Sequence, residues 1–148
     1  MQQSLNNGIR SRWNTIGTTF LGNTAITKFN EFSRFTSITN TLMAFQRCSN
    51  LEEVTLAPSM KLGNLAFDNC VKLKEIIIPS AVTSIGEYCF RGCTSLKTIT
   101  SLPTTPPTRN AGAFSSVAPD VVYVPASSVD TYKSEWSNWS AKIYAIPE

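Results

Sequence analysis

Histidine is absent from the 148 residues. That excludes Ser-His and Cys-His nucleophile pairs, the commonest general base, and every zinc site other than an all-cysteine or carboxylate one. The four cysteines form no Cys-x-x-Cys pair, so the usual metal-knuckle spacing is missing too. Charge is sparse, at 16% Asp, Glu, Lys and Arg with a net +3, and it is scattered. Without a clustered basic stripe, nucleic acid is not an expected partner. Arg10 and Arg12 stand close together but read as a solvated N-terminal stretch. No segment approaches the roughly eighteen consecutive apolar residues of a membrane span, so no membrane insertion is expected. The opening "MQQSLNNGIRSRWNTIG" lacks the apolar core of a signal peptide. Export therefore needs a signal outside this sequence, and without one the expected location is cytoplasmic or within a larger particle. What remains is an ordinary globular share of hydrophobic residues, 42%, in a chain of one-domain length.

Those hydrophobic residues recur at fixed offsets. Phe45, Phe67 and Phe90 follow one another at nearly equal intervals. The same steps carry Cys48 to Cys70 to Cys93, Leu51 to Leu73 to Leu96, and Val54 to Ile76 to Ile99. A period in the low twenties with apolar residues in register marks a repeat array, in which each unit buries its apolar face only against its neighbours.

Within one unit, "LKEIIIP" reads as a short strand with Leu73, Ile76 and Ile78 inward and Lys74, Glu75 and Ile77 outward. Pro79 ends it, having no N–H to give a ladder. Val82 and Ile85 form a second apolar segment on the opposite wall, Gly86 permits a turn, and "EYCF" is short enough for a single helical turn. The expected fold class is a repeat solenoid, α+β, with short parallel strands, helical turns and about three full coils stacked at about 4.8 Å. Cys48, Cys70 and Cys93 fall at the corner before each inward leucine and read as packed, reduced thiols. The spacing also permits a disulfide between neighbouring coils. Cys89 lies outside the register and reads as a filler beside Phe90.

Such an array needs its ends covered. The chain divides into an N-terminal segment and cap (1–44), the repeats (45–102), and a proline loop, strand and capping helix (103–148), all within one domain. Phe29, Phe32 and Phe35 read as a lid on the first coil, on a short helix that Asn30 caps. Ala113-Phe114 echoes the repeat once more, and "VVYVP" reads as a strand from Val121 to Pro125. In "SSVDTYKSEWSNWSAKI", Ser127 is the expected N-cap with Asp130 three residues on. Val129, Tyr132, Trp136, Trp139 and Ile143 recur at helical spacing. Two tryptophans on one face suit carbohydrate stacking or, more simply, burial under the cap. Asn138-Trp139-Ser140 is a glycosylation sequon, relevant only in a eukaryotic secretory pathway.

The unit "IGEYCFRGCTSLKTIT" closely resembles the BspA-like leucine-rich repeats of surface proteins in Bacteroidetes and some spirochaetes and protozoa. The family pattern of Ile-Gly, Ala-Phe, Cys, Ser-Leu and an Ile-x-Ile-Pro strand is matched in order along the chain; "IIIP" keeps its strand ending, whereas "ITSLP" departs from it. The lead-in from Ile16 and the closing "TTPPT…VYVPASSVDTYKSEWSNWS" look like the segments that open and close such arrays. The resemblance implies adhesion at a cell surface, to host proteins, other bacteria or matrix.

The expected function is therefore a non-enzymatic module that binds a protein or glycan. Its concave strand face would present Glu53, Glu75 and Thr98, then Thr55, Ile77 and Thr100, beside Glu52, Lys74 and Lys97. Ile77 stands out as an apolar residue among polar ones. No cofactor or metal is expected. A second class is a structural component of a larger assembly such as a phage particle. A third is a carboxylate enzyme, because Glu53 and Glu75 on adjacent strands would lie roughly 5 Å apart, near the separation in retaining glycosidases.

Overall fold

The strand pattern expected from "LKEIII" is the organising element. A computed structural model describes residues 17–30 and 41–148. In it β3 (Glu75–Ile78), β5 (Thr98–Ser101), β7 (Val121–Val124) and β8 (Ile143–Ala145) form one parallel sheet in that order. Ile76 pairs with Ile99, Ile99 with Val122, and Val122 with Ile143, so one interior column crosses all four strands. Side chains alternate as pleating requires: Leu73, Ile76 and Ile78 are buried, while Glu75 and Ile77 face out. Leu51, Leu73 and Leu96 are fully buried in the matching positions of successive repeats. Before this sheet, β1 (Lys28–Phe29) pairs in parallel with β2 (Glu53–Val54). The opposite wall holds β4 (Ser84–Ile85) on β6 (Thr108–Arg109), extended by a bridge from Leu62 to Ile85.

The corner expected to be a helical turn is built differently. Around Phe45 the N–H groups alternate: Met43, Phe45 and Arg47 donate to Asn64, Ala66 and Asp68 of the next repeat, whereas Ala44, Gln46 and Cys48 donate to carbonyls three residues back. The alternation recurs around Phe67 and Phe90. A helix would turn every N–H along its own axis, so half of them must be flipped outward. Left-handed residues do this two places before and after each phenylalanine: Met43 and Arg47, Leu65 and Asn69, Tyr88 and Gly92, Gly112 and Ser116. Each non-glycine costs roughly 1–2 kcal/mol in that region, offset by inter-repeat hydrogen bonds worth about 1 kcal/mol each.

These corners stack the phenylalanines face to face. Ring centroids lie 4.9 Å apart from Phe20 to Phe45, 5.4 Å to Phe67, 5.3 Å to Phe90 and 5.1 Å to Phe114, with tilts of 13°, 3°, 3° and 10°. None of the four cysteines is bridged, and all are buried. Each register thiol donates to the carbonyl of a phenylalanine one repeat earlier: Cys48 to Phe20 (3.0 Å), Cys70 to Phe45 (3.1 Å) and Cys93 to Phe67 (3.1 Å). Gly86 has a different duty from the one expected. Its φ is not left-handed; a Cβ there would lie 2.4 Å from the Gly63 carbonyl carbon and 2.5 Å from the Asn64 nitrogen. Glycine is needed for close backbone approach.

At the N-terminal end, Phe29 belongs to β1 and tilts against Phe20 and Phe45, both at 5.1 Å. The Asn30 side chain bonds Glu53 and Thr55, and the helix it is expected to cap lies outside the described residues. Phe32, Phe35, Arg10 and Arg12 lie outside the described residues. At the other end a 3-10 turn (Ala126–Ser128) leads into α1 (Val129–Glu135). The N-cap residue is Ser128, not Ser127, and it makes no side-chain cap bond because its hydroxyl donates to the Thr104 carbonyl. The helix also ends early. A second 3-10 turn (Ser137–Lys142) carries Trp139, and Ile143 opens β8. Tyr132, Trp136, Trp139 and Ile143 are all buried, with Phe114 packed on both indoles.

Candidate binding face

The outward residues of the strands carry the chemistry available to a partner. Glu75 stands beside Thr98 and Ile77 beside Thr100 in the β3–β5 register. Glu53 and Thr55, expected to continue these columns, do not pair with β3, since β2 joins only β1. The six expected residues therefore fall into two groups, Glu53 and Thr55 on one side of a break and Glu75, Ile77, Thr98 and Thr100 on the other.

The two groups differ electrostatically. Glu53 contacts the Lys28 ammonium at 2.9 Å and accepts from the Asn30 amide at 2.7 Å. The Lys28 hydrogen bond is the main reason its carboxyl sits below the ordinary range. Glu52 is held low in the same way by Lys74, at 2.6 Å. Thr55 donates to Asn30, and the Lys97 ammonium donates to the Ala118 carbonyl. Glu75 has no ion pair or side-chain hydrogen bond among the described residues. Ile77 is 55% exposed.

This arrangement does not support carboxylate catalysis by Glu53 and Glu75. The two carboxylates do not stand on paired strands, since β2 joins only β1, and Glu53, lowered by Lys28, is not suited to be the acid of such a pair.

Sequence reasoning overlooked how far the outward columns extend. Beyond Thr100 come Tyr123 and then Tyr144, 54% exposed, in direct register. Leu102 and Ile146 are exposed one step further along the strands. The signal was available: "IYAIP" at 143–147 repeats the alternation and terminal proline of "EIIIP" at 75–79.

The proline loop offers a partner little. Its carbonyls at Pro103, Thr104 and Pro107 accept from Tyr132, Ser128 and Trp136. The Arg109 guanidinium lies 5.1 Å from the centroids of both Trp136 and Trp139, and burial lowers its pKa. With Trp136 and Trp139 only 1% and 6% exposed, neither indole presents a face to sugar.

Residues 14–136 match a family model described as a BspA type leucine rich repeat region, in six copies. No curated protein matches the chain. Among the described residues no helix is long and apolar enough to cross a membrane.

Proposed function

Because the chain belongs to the BspA-type leucine-rich-repeat family, whose repeats are in general non-enzymatic binding modules, we propose that its outer strand face binds a protein or glycan partner without turnover. On this reading the stacked repeats are a leucine-rich-repeat solenoid of about three full coils, capped at both ends, and its role is adhesion at a cell surface. The scaffold is rigid where the face is displayed, so little ordering entropy is lost on binding.

One observation carries the reading. Ile77 stands beside Thr100, and the preceding repeat carries Thr55 at the same offset in sequence, yet among the described residues Ile77 is the most exposed of the large hydrophobic side chains. It gains nothing from water there, and covering it would contribute roughly 1.5–3 kcal/mol to an interface. The test is capture from host-cell extract by immobilised protein, comparing wild type with Ile77→Asp and Glu75→Lys, each checked for unchanged thermal unfolding. Loss of the captured partners in both variants is the expected result. Equal capture by all three proteins overturns the assignment of this face.

A further inference from the structure

The break between β2 and β3 is a gap with walls. The Lys74 N–H still reaches the Glu52 carbonyl at 3.4 Å, but β2 and β3 are not paired beyond it, whereas β3 stays paired to β5 along its whole length. β2 ends at Val54, whereas β3 runs on to Ile78, and the two chains meet again only at the back wall, where Leu62 bridges Ile85. The cleft left behind measures about 250 Å³, with Thr55, Leu56 and Pro58 on one side and Ile77, Pro79 and Leu102 on the other.

We infer that this cleft seats an apolar side chain of an extended polypeptide segment whose basic residue pairs with Glu75, an inference that rests on the strand-face reading above. Size is the first argument. The volume is below the roughly 300–1,000 Å³ of pockets that enclose a drug-sized ligand, but it suits one or two apolar side chains. Wall chemistry is the second. Leu56, Pro58, Ile77, Pro79 and Leu102 make the lining mostly apolar, with Glu53, Thr55, Glu75 and Ser80 as its polar members; an apolar side chain matches the larger part, where sugar hydroxyls would lose free energy if buried unbonded. Charge is the third. Glu52 and Glu53 are both matched by lysines of this chain, whereas Glu75, also on the cleft's lining, has no cation among the described residues. The missing cation is the partner's to supply.

Geometry fixes the spacing. Glu75 and Ile77 point the same way, two residues apart on one strand, about 7 Å at extended rise. A segment lying extended along β3 repeats that spacing, so its apolar anchor and its Lys or Arg stand two residues apart. Pockets for alternate side chains are the usual source of specificity when an extended peptide meets a strand.

A library of random linear dodecapeptides displayed on phage is the probe, selected on the full chain and depleted on the Ile77→Asp protein. Enriched sequences should share an apolar residue two places from Lys or Arg. Synthetic copies should bind Ile77→Asp at least tenfold more weakly than wild type. Ile77→Thr, which restores the residue type of the neighbouring repeats and so keeps the strand, should show the same loss. Glu75→Lys should prefer a copy in which Glu replaces the basic residue. The inference is overturned if nothing is enriched relative to Ile77→Asp, if enriched peptides lack the spacing, or if Glu75→Lys leaves their affinity unchanged. Should that happen while Ile77→Asp still loses its captured partners from extract, the strand face binds something other than an extended segment. Failure of both experiments removes the strand-face reading as well.

Discussion

The Cys70 thiol donates to the Phe45 carbonyl, 3.1 Å away and one repeat earlier. That carbonyl already accepts the Cys48 N–H, so the thiol is a second donor to a buried group, and the three register cysteines do the same for three phenylalanines. Burial, the largest influence on each thiol, pushes Cys48 up to about 11 and Cys93 up to about 12, and raises Cys70 and Cys89 well above the ordinary thiol range. Thiolates are the reactive form. Native protein at pH 8 should therefore leave a disulfide reagent nearly unconsumed, and unfolding without reductant should release four thiols. Cys70→Ala should lower stability by roughly 1–2 kcal/mol through lost burial and the void left behind, measured by denaturant unfolding. Reaction of any thiol in the native state at the unfolded rate would contradict this packing.

A second relationship sets the acid limit of stability. Asp68 is fully buried and accepts from Arg91 Nε (2.7 Å) and Nη2 (3.0 Å), Gln46 (2.9 Å) and Asn69 (3.0 Å). Burial alone would raise its carboxyl; the Arg91, Gln46 and Asn69 hydrogen bonds overcome that and hold it below its ordinary value. A carboxyl lowered on folding adds stability that is complete above the unfolded value of about 3.9 and is lost as pH falls through the folded one. Wild-type stability should hold from pH 7 down to about 4 and then fall. Asp68→Asn should start lower at pH 7 and show a shallower acid limb. Arg91→Met should cost about 2 kcal/mol at pH 7, because the buried carboxylate loses its charge partner.

Two glycines separate space from backbone conformation. Gly86→Ala drives a methyl into the Gly63 and Asn64 backbone, an overpacking that costs roughly 1–3 kcal/mol. At Gly22 the φ is +68°, but among the described residues nothing lies within 4 Å of where a Cβ would stand. Gly22→Ala should then cost about 1 kcal/mol, from the left-handed conformation alone. Gly86→Ala should therefore melt below Gly22→Ala, and equal melting temperatures would mean that the backbone at Gly63 and Asn64 yields to the methyl without cost.

The inward register is legible in the sequence because burial acts on residue type directly: Phe, Cys, Leu and Ile recur wherever a side chain meets its neighbour in the next repeat. The earlier repeat is harder to see although Phe20, Ile26 and Phe29 keep the same offsets. Asn23 replaces its cysteine, and Phe20 stands further from Phe45 than any later phenylalanine of the stack stands from the next. The corners mislead for another reason. Leu65 and Met43 are good helix formers, but the next repeat's carbonyls outweigh local propensity and draw them into the left-handed region. On the outer face, Glu75 and Ile77 follow from alternation. The cleft beside them does not, since it depends on where β2 parts from β3, and the outward alternation of residue types is the same on both sides of that break.

The C-terminal cap is tied down by one hydroxyl. Tyr132 donates to the Pro103 carbonyl at 2.7 Å, and the Ser101 hydroxyl, fully buried, lies 2.9 Å from the Tyr132 hydroxyl oxygen. Since the tyrosine proton goes to Pro103, Ser101 is the donor in the second bond. The link thus joins β5, the proline loop and α1. Tyr132→Phe keeps the ring's packing against Trp136 but leaves a buried carbonyl without that donor and a buried hydroxyl without its acceptor. The cost should be about 2 kcal/mol, since each such group is penalised by roughly 1–3 kcal/mol when stranded. Ser101→Ala alone removes a donor and its need together, so it should cost less. In the double variant only the Pro103 carbonyl stays stranded, and the two losses should fall short of additive by a margin on the order of 1 kcal/mol. Denaturant unfolding of the four proteins closes the cycle. Strict additivity would mean that Ser101 and Tyr132 do not share the bond.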